Sequence, residues 1–136
     1  RFGAYEMLPA NHVFLSATKD RPGELVQLYV ELKNFASEAC TDGEFLTKLV
    51  CSLELQNAKG ERVWNHTYDR KDTTHHRRTR LNDFFSNYRF YVPELVPGDY
   101  TLTIRIVDET VAGHQRDVSK SLNLRVTPVL NQTSLR

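Results

Sequence analysis

The chain has 136 residues, enough for one domain with its own core, since a chain of this size buries roughly two-thirds of the surface that its unfolded form exposes. Its 18 Lys and Arg residues nearly balance its 17 Asp and Glu residues, which excludes the strong global field that attracts nucleic acid. No apolar stretch approaches the roughly 20 residues of a membrane-spanning helix. We therefore expect a globular chain with no nucleic-acid partner and no membrane insertion.

Apolar and polar residues alternate with a period of two along much of the chain, and turn signals separate the runs. This period predicts β-strands rather than helices. In the turn NAKG, Gly60 can adopt the positive φ that a short hairpin loop requires. Seven strands are expected in the segments HVFLSAT, ELVQLYVELKNF, LTKLVCSLELQ, RVWNHTYD, DFFSNYRFYV, DYTLTIRIVD and DVSKSLNLRV.

The same alternation predicts the core, because successive side chains of a strand point to opposite faces. Seven strands in about 115 residues, without an amphipathic helix, indicate an all-β fold: an antiparallel two-sheet β-sandwich of about seven strands. The side chains expected to face the core are Val26, Leu28, Val30, Leu32, Leu49, Cys51, Leu53, Leu55, Phe84, Tyr88, Phe90, Val92, Tyr100, Leu102, Ile104, Ile106, Val118, Leu122, Leu124 and Val126.

Three stretches resemble immunoglobulin-like and fibronectin type III-like domains of bacterial exported proteins. PGELVQLYVELKNFASEA is similar to the opening of such domains, LELQNAKGERVW to their middle hairpin, and VPGDYTLTIRIVD to their penultimate strand, with Tyr100 in the place of the corner tyrosine. The chain also resembles secreted or envelope proteins of planctomycete-type bacteria, although it lacks the Cys, Trp, Cys arrangement of antibody domains. The resemblance implies the sandwich architecture, export to the periplasm or cell surface, and a role as an accessory or binding module.

Three parts are expected along the chain: an N-terminal arm at residues 1–10, the β-sandwich domain at residues 11–127, and a C-terminal tail at residues 128–136. The apolar side chains of the arm are Phe2, Tyr5, Met7 and Leu8. Such an arm could lie across an aromatic sheet face and cover it.

The segment DTTHHRRTR concentrates positive charge, and it is expected to lie in a connection of about 14 residues between two strands. Adjacent histidines of an extended segment point to opposite sides, so His75 and His76 are not expected to share a metal ion. The segment is interpreted either as a solvated loop or as a binding site whose arginines pair with the anionic groups of a polymer. Its candidate ligand-binding residues are His75, His76, Arg77, Arg78 and Arg80.

A second candidate site comes from the strand DFFSNYRFYV, which carries aromatic residues on both faces. If it pairs with the strand that contains Tyr29, then Tyr29, Phe85 and Tyr91 share an outer sheet face with Lys33 and Arg89. Exposed aromatic surface of this kind marks an interface or a ligand platform, and rings flanked by polar groups suit sugar rings. The alternatives are that the N-terminal arm, a neighbouring domain or a second copy covers the face.

Cys51 alternates with Leu49 and Leu53, which predicts a buried thiol that packs as a small hydrophobic group. Cys40 lies in the preceding loop, and a disulfide between Cys40 and Cys51 is the alternative. Trp64 is expected to be half-buried at a sheet edge, with a ligand-binding tryptophan as the other possibility.

No local motif brings together a nucleophile, a base and an orienting group, so the sequence predicts no catalytic residue, no metal and no cofactor. We expect a non-catalytic binding or spacer module, a monomer or weak homodimer, whose partner is another protein domain or a polysaccharide. One alternative is carbohydrate or anionic-polymer binding through the basic segment or the aromatic face. The other is a hydrolase or metal site assembled from loops.

Overall fold

The structure is a computed structural model in which every regular element is a β-strand; no helix occurs in the part of the chain that it describes. That part comprises residues 11–33, 38–40, 42–68, 74–77, 83–111, 113 and 115–128. Only the backbone is described for residues 32, 33, 74–77, 83–85 and 128. The terminal residues 1–10 and 129–136, assigned above to an arm and a tail, lie outside it.

Apart from the short β3 and β6, the strands follow the period-two runs of the sequence. Their bounds are β1 Val13–Ser16, β2 Leu25–Lys33, β3 Glu38–Ala39, β4 Phe45–Gln56, β5 Arg62–Thr67, β6 Thr74–Arg77, β7 Asp83–Tyr91, β8 Gly98–Asp108 and β9 Arg116–Pro128.

The strands form two sheets of unequal width. β2 and β7 pair antiparallel in a two-stranded sheet, which we call the small sheet. The large sheet contains seven strands in the order β1-β9-β8-β4-β3, with β5 and β6 also paired to β4. β1 pairs parallel with the end of β9, whereas the other pairs in this sheet are antiparallel.

The core lies between the two sheets. Val26 of β2 and Phe90 of β7 pack in one buried cluster with Leu53, Leu102 and Leu124 of the large sheet. The predicted inward alternation of β4 is confirmed, because each of its four expected core residues is buried. Burial of a side chain of this size stabilises the fold by roughly 1.5–3 kcal/mol, so these positions supply the main cohesion between the sheets.

The prediction that Val118 and Leu122 are buried is wrong. They have the same strand parity as the buried Leu124 and Val126, yet their exposed fractions are 49% and 42%. The reason is the unequal width of the sheets: among the described strands, two do not cover the whole inner face of the large sheet, so the first half of β9 is left open. The side chains of Leu32 and Phe84, also expected in the core, lie outside the described part.

The expected loop around DTTHHRRTR is a second correction, since residues Thr74–Arg77 form the strand β6. β6 pairs antiparallel with Phe45–Lys48, the first part of the long strand β4. With the short β3 it raises the number of strands from the expected seven to nine. The sequence did not predict β6 because this strand has no apolar alternation of its own. It forms by pairing with the edge of β4.

The link between β1 and β2 is pressed against the end of β7. The Ala17 amide donates to the carbonyl oxygens of Val92 and Pro93 at 3.3 and 3.2 Å, and the Val92 amide donates to the Glu24 carbonyl at 2.9 Å. Gly23 lies inside this contact, where an added Cβ would overlap the carbonyl oxygen of Val92 and approach the Ala17 nitrogen to 2.8 Å. Glycine is therefore required here for lack of space.

We expect Gly23→Ala to lower the free energy of unfolding by about 1–3 kcal/mol, because the new methyl group must push two backbones apart. Urea denaturation followed by circular dichroism measures the change. Ser119→Ala, at an exposed position of β9, is the control and should stay within about 0.5 kcal/mol of the parent chain. Equal stability of the two variants would contradict the close approach.

Candidate functional site

The outer face of the small sheet carries two exposed tyrosines. Side chains directly opposite one another in an antiparallel pair share a face, so the outward residues of β2 and β7 can be read from their register. We call this surface the tyrosine face; its described residues are Leu25, Gln27, Tyr29, Glu31, Asn87, Arg89 and Tyr91.

Tyr91 pairs with Leu25 at one end of the tyrosine face, and Tyr29 pairs with Asn87 towards the other. The exposed fractions of Tyr29 and Tyr91 are 46% and 60%. Four residues of β2 separate the two positions, a distance of roughly 13 Å at the usual rise of a strand. Arg89, opposite Gln27, lies between the two positions in the register, so two exposed rings flank a basic residue on this face.

The expected pairing of the two aromatic strands is confirmed, and it places Tyr29, Arg89 and Tyr91 on one outer face. Phe85 lies opposite Glu31 in the register, one step beyond Tyr29, and its side chain is outside the described part. The role of these residues in binding stays a prediction.

The basic segment belongs to the large sheet. In β6 the backbones of His75, His76 and Arg77 lie opposite Thr47, Leu46 and Phe45. Arg78 and Arg80 are outside the described residues, as are the side chains of β6. The described parts of the two candidate sites therefore lie on different sheets.

Cys51 lies in the core, with no exposed surface, in a cluster with Leu49, Tyr88 and Ile106. Burial raises the pKa of the Cys51 thiol from 9.0 to about 12, since the apolar surroundings disfavour the thiolate. The predicted buried thiol is confirmed. A thiol held neutral in this way is a poor nucleophile.

The disulfide alternative is wrong, because both cysteines are free. Cys40 follows Ala39, which pairs with Phe45 at the start of β4. Cys51 lies six residues further along β4, roughly 20 Å away at the usual rise of a strand, whereas a disulfide requires Cα atoms within about 7 Å.

Trp64 is half-buried on β5 and packs against the core, as predicted. Its ring stacks on Phe90 with 5.1 Å between centroids, and on His66 at 6.2 Å. Tyr68 continues this row, in contact with His66 at 4.6 Å and with Tyr88 at 4.9 Å. Because its ring lies against core side chains, Trp64 is part of the packing between the sheets.

An apolar groove that the sequence did not predict runs between β2 and β9. We call it the edge groove; its apolar lining comprises Leu28, Val30, Ile104, Ile106, Val118 and Leu122. The alternation in β9 predicted that Val118 and Leu122 face the small sheet. It could not show that the small sheet ends before it reaches them. The groove reaches the edge of β2, where Tyr29 of the tyrosine face and Glu31 also line it.

Within the described ranges no three His, Cys, Asp or Glu side chains converge as a metal site, and no helix is long and apolar enough to cross a membrane. Comparison with protein-family models, curated proteins and solved structures gives no match for this chain.

We expect a thiol reagent at pH 8 to modify one cysteine per folded chain and two per unfolded chain. Cys40 is partly exposed, whereas Cys51 is buried and neutral at that pH. Ellman's reagent with and without guanidinium chloride gives the two counts. Cys40→Ala should abolish the reaction of the folded chain; fast reaction of two thiols without denaturant would contradict the burial of Cys51.

The free energy of unfolding should fall between about pH 9 and pH 12. Burial holds the pKa of Cys51 at about 12 in the folded chain, so the unfolded chain loses this proton first, and stability present below pH 9 is lost as the pH rises. In Cys51→Ala the free energy of unfolding should fall less steeply with pH, by up to about 1.4 kcal/mol per pH unit. Urea denaturation at each pH measures it. Cys40→Ala is the matched control and should keep the parent slope; parallel profiles for both variants would refute the assignment.

Proposed function

We propose that this chain is an immunoglobulin-like or fibronectin type III-like β-sandwich domain that serves an exported protein as a non-catalytic binding module. The tyrosine face is its contact surface. The observation that carries the proposal is the exposure of Tyr29 and Tyr91 on one open sheet face, with Arg89 between them.

Strand pairing supports the fold type. In immunoglobulin domains the second and fifth strands, B and E, belong to one sheet and C, F and G to the other. Here β2 pairs with β7, while β4, β8 and β9 are neighbours in the large sheet. Two sheets that share a core are compatible with a sandwich.

Tyr100 gives independent support. Its side chain is buried at the start of β8, and its hydroxyl donates to the Val96 carbonyl oxygen at 2.6 Å. A tyrosine whose hydroxyl bonds to the backbone a few residues upstream, at the start of strand F, is the tyrosine corner of these domains.

A polysaccharide is the ligand class that suits the tyrosine face best. Tyrosine rings offer flat apolar surfaces for the C–H groups of sugar rings. The amides of Gln27 and Asn87 and the guanidinium of Arg89 can bond to hydroxyl groups between the two rings. An open face with two separated rings favours a chain of sugars over a single small molecule.

A protein domain is the second candidate partner. Leu25 is 39% exposed beside Tyr91, and the combination of tyrosine, arginine and an aliphatic side chain is typical of the centre of protein interfaces. This partner, too, would bind through the tyrosine face.

The buried, neutral thiol of Cys51 lies among apolar and aromatic core side chains and cannot reach a substrate, which supports a non-catalytic role. Catalysis by a side chain requires a nucleophile or base that can reach a substrate. The tyrosine face is an open surface with exposed rings, whereas a catalytic site is a cleft in which acids and bases converge.

Binding of the folded chain to insoluble cellulose, chitin, xylan and peptidoglycan tests the proposal. We expect retention on at least one of these polymers and a loss of at least tenfold in affinity for Tyr29→Ser/Tyr91→Ser, because the stacking surfaces are removed. Val63→Ser, at a 42% exposed apolar position of β5, is the control and should bind like the parent chain. If the double variant is retained as well as the parent chain, the tyrosine face is not the binding surface. If none of the polymers retains the parent chain, a polysaccharide is not the ligand.

A further inference from the structure

The first part of β9 is an exposed strand with an open edge. Each residue from 115 to 123 is exposed, so side chains on both faces of this stretch reach the surface. β1 pairs with β9 only through Arg125–Pro128, and β8 is the one described neighbour of the preceding residues. A strand that is paired on one edge only is a template for the strand of another chain.

The edge groove lies beside this strand and carries two opposite charges. Val118 and Leu122 are 49% and 42% exposed at its wall. Lys120 lies between them on β9, whereas Glu31 lines the groove from β2. Within the described chain no ion pair joins Glu31 to Lys120. An occupant that suits the groove therefore brings apolar side chains and a cation for Glu31, and β9 itself carries both.

We propose that two copies of this chain form a dimer through the first part of β9. The two strands pair antiparallel about a two-fold axis at Ser119 and join the two large sheets into one. Ser119 is the middle of the exposed run from residue 115 to residue 123, so this register pairs the whole run with its copy. β1 does not block the contact, because it begins to pair with β9 at Arg125. An interface of this kind is self-complementary and closed at two copies.

This register brings compatible side chains together. Val118 of one copy lies opposite Lys120 of the other, so the aliphatic stem of the lysine covers the exposed valine and its ammonium group reaches beyond it. Leu122 lies opposite Arg116, whose stem covers the leucine in the same way. A register centred on Lys120 would instead place two ammonium groups side by side, which is unfavourable.

Glu31 receives the lysine of the second copy. In the register of β8 and β9 Val118 lies opposite Ile106, and Ile106 belongs to the cluster against which Val30 of β2 packs. Glu31 follows Val30, so it lies near the level at which Lys120 of the second copy arrives. Two such pairs, related by the two-fold axis, give the charge complementarity that favours a second copy over an unrelated strand. The strand pairing is made by the large sheet, so the inference goes beyond the proposed function of the tyrosine face.

Disulfide cross-linking under mild oxidation tests the register. In a Cys40→Ala background, Ser119→Cys should link two copies, because residue 119 lies opposite itself with Cα atoms roughly 4.5–5.5 Å apart. Ser121→Cys in the same background is the matched control and should not link them, since an offset of four residues separates its two copies by roughly 13 Å. Non-reducing electrophoresis measures the dimer. Equal linkage of both variants, or linkage of neither, would overturn the inference.

Charge reversal provides a second measurement, by analytical ultracentrifugation over a range of concentrations. The parent chain should associate reversibly to a dimer. Glu31→Lys and Lys120→Glu should each weaken the association by about tenfold, and Glu31→Lys/Lys120→Glu should restore it, because the two charges then exchange places. Lys59→Glu, a matched reversal in the exposed turn between β4 and β5, should dimerise like the parent chain.

The fluorescence of Trp64 shows whether each of these variants is folded. A parent chain that stays monomeric at millimolar concentration would overturn the dimer. A double variant that associates no better than the single variants would overturn the pairing of Glu31 with Lys120.

Discussion

The burial of every second side chain between two sheets of unequal width is the constraint on which the rest of this structure depends. β4 and β8 fill their inner faces with residues such as Leu53 and Leu102, and the small sheet covers them with Val26 and Phe90. This cover is sufficient for the centre of the large sheet. Within the described part of the chain it leaves the start of β9 open, and the edge groove results from that difference in width.

The same constraint produces the tyrosine face. Once the even-numbered residues of β2 and β7 face the core, their odd-numbered neighbours must face outward in pairs fixed by the register. Tyr29 and Tyr91 are thereby exposed on a surface that also carries Arg89. The position of the proposed binding site therefore depends on the packing of the core. A register shift of one residue would turn Tyr29 and Tyr91 inward and bury their rings.

The outer side of the large sheet carries cross-strand contacts of a different kind. Arg105 pairs with Asp117 at 2.8 Å, and the Thr103 and Ser121 hydroxyl groups lie 2.9 Å apart. These are exposed cross-strand pairs that each contribute a few tenths of a kcal/mol, so they align strands rather than hold the sheets together. The contrast between this polar surface and the tyrosine face is the reason for placing the binding role on the small sheet.

The sequence by itself determined the β-rich class, most strand positions, the parity of the core and the burial of Cys51, because each follows from local alternation. It also placed Tyr29, Arg89 and Tyr91 on one face as soon as the pairing of two strands was assumed. Only the tertiary structure decided that Thr74–Arg77 is a strand, that Cys40 and Cys51 are far apart, and that Val118 and Leu122 are exposed. These features depend on which strands meet and how far one sheet extends over the other, and such long-range relations leave no mark on local periodicity.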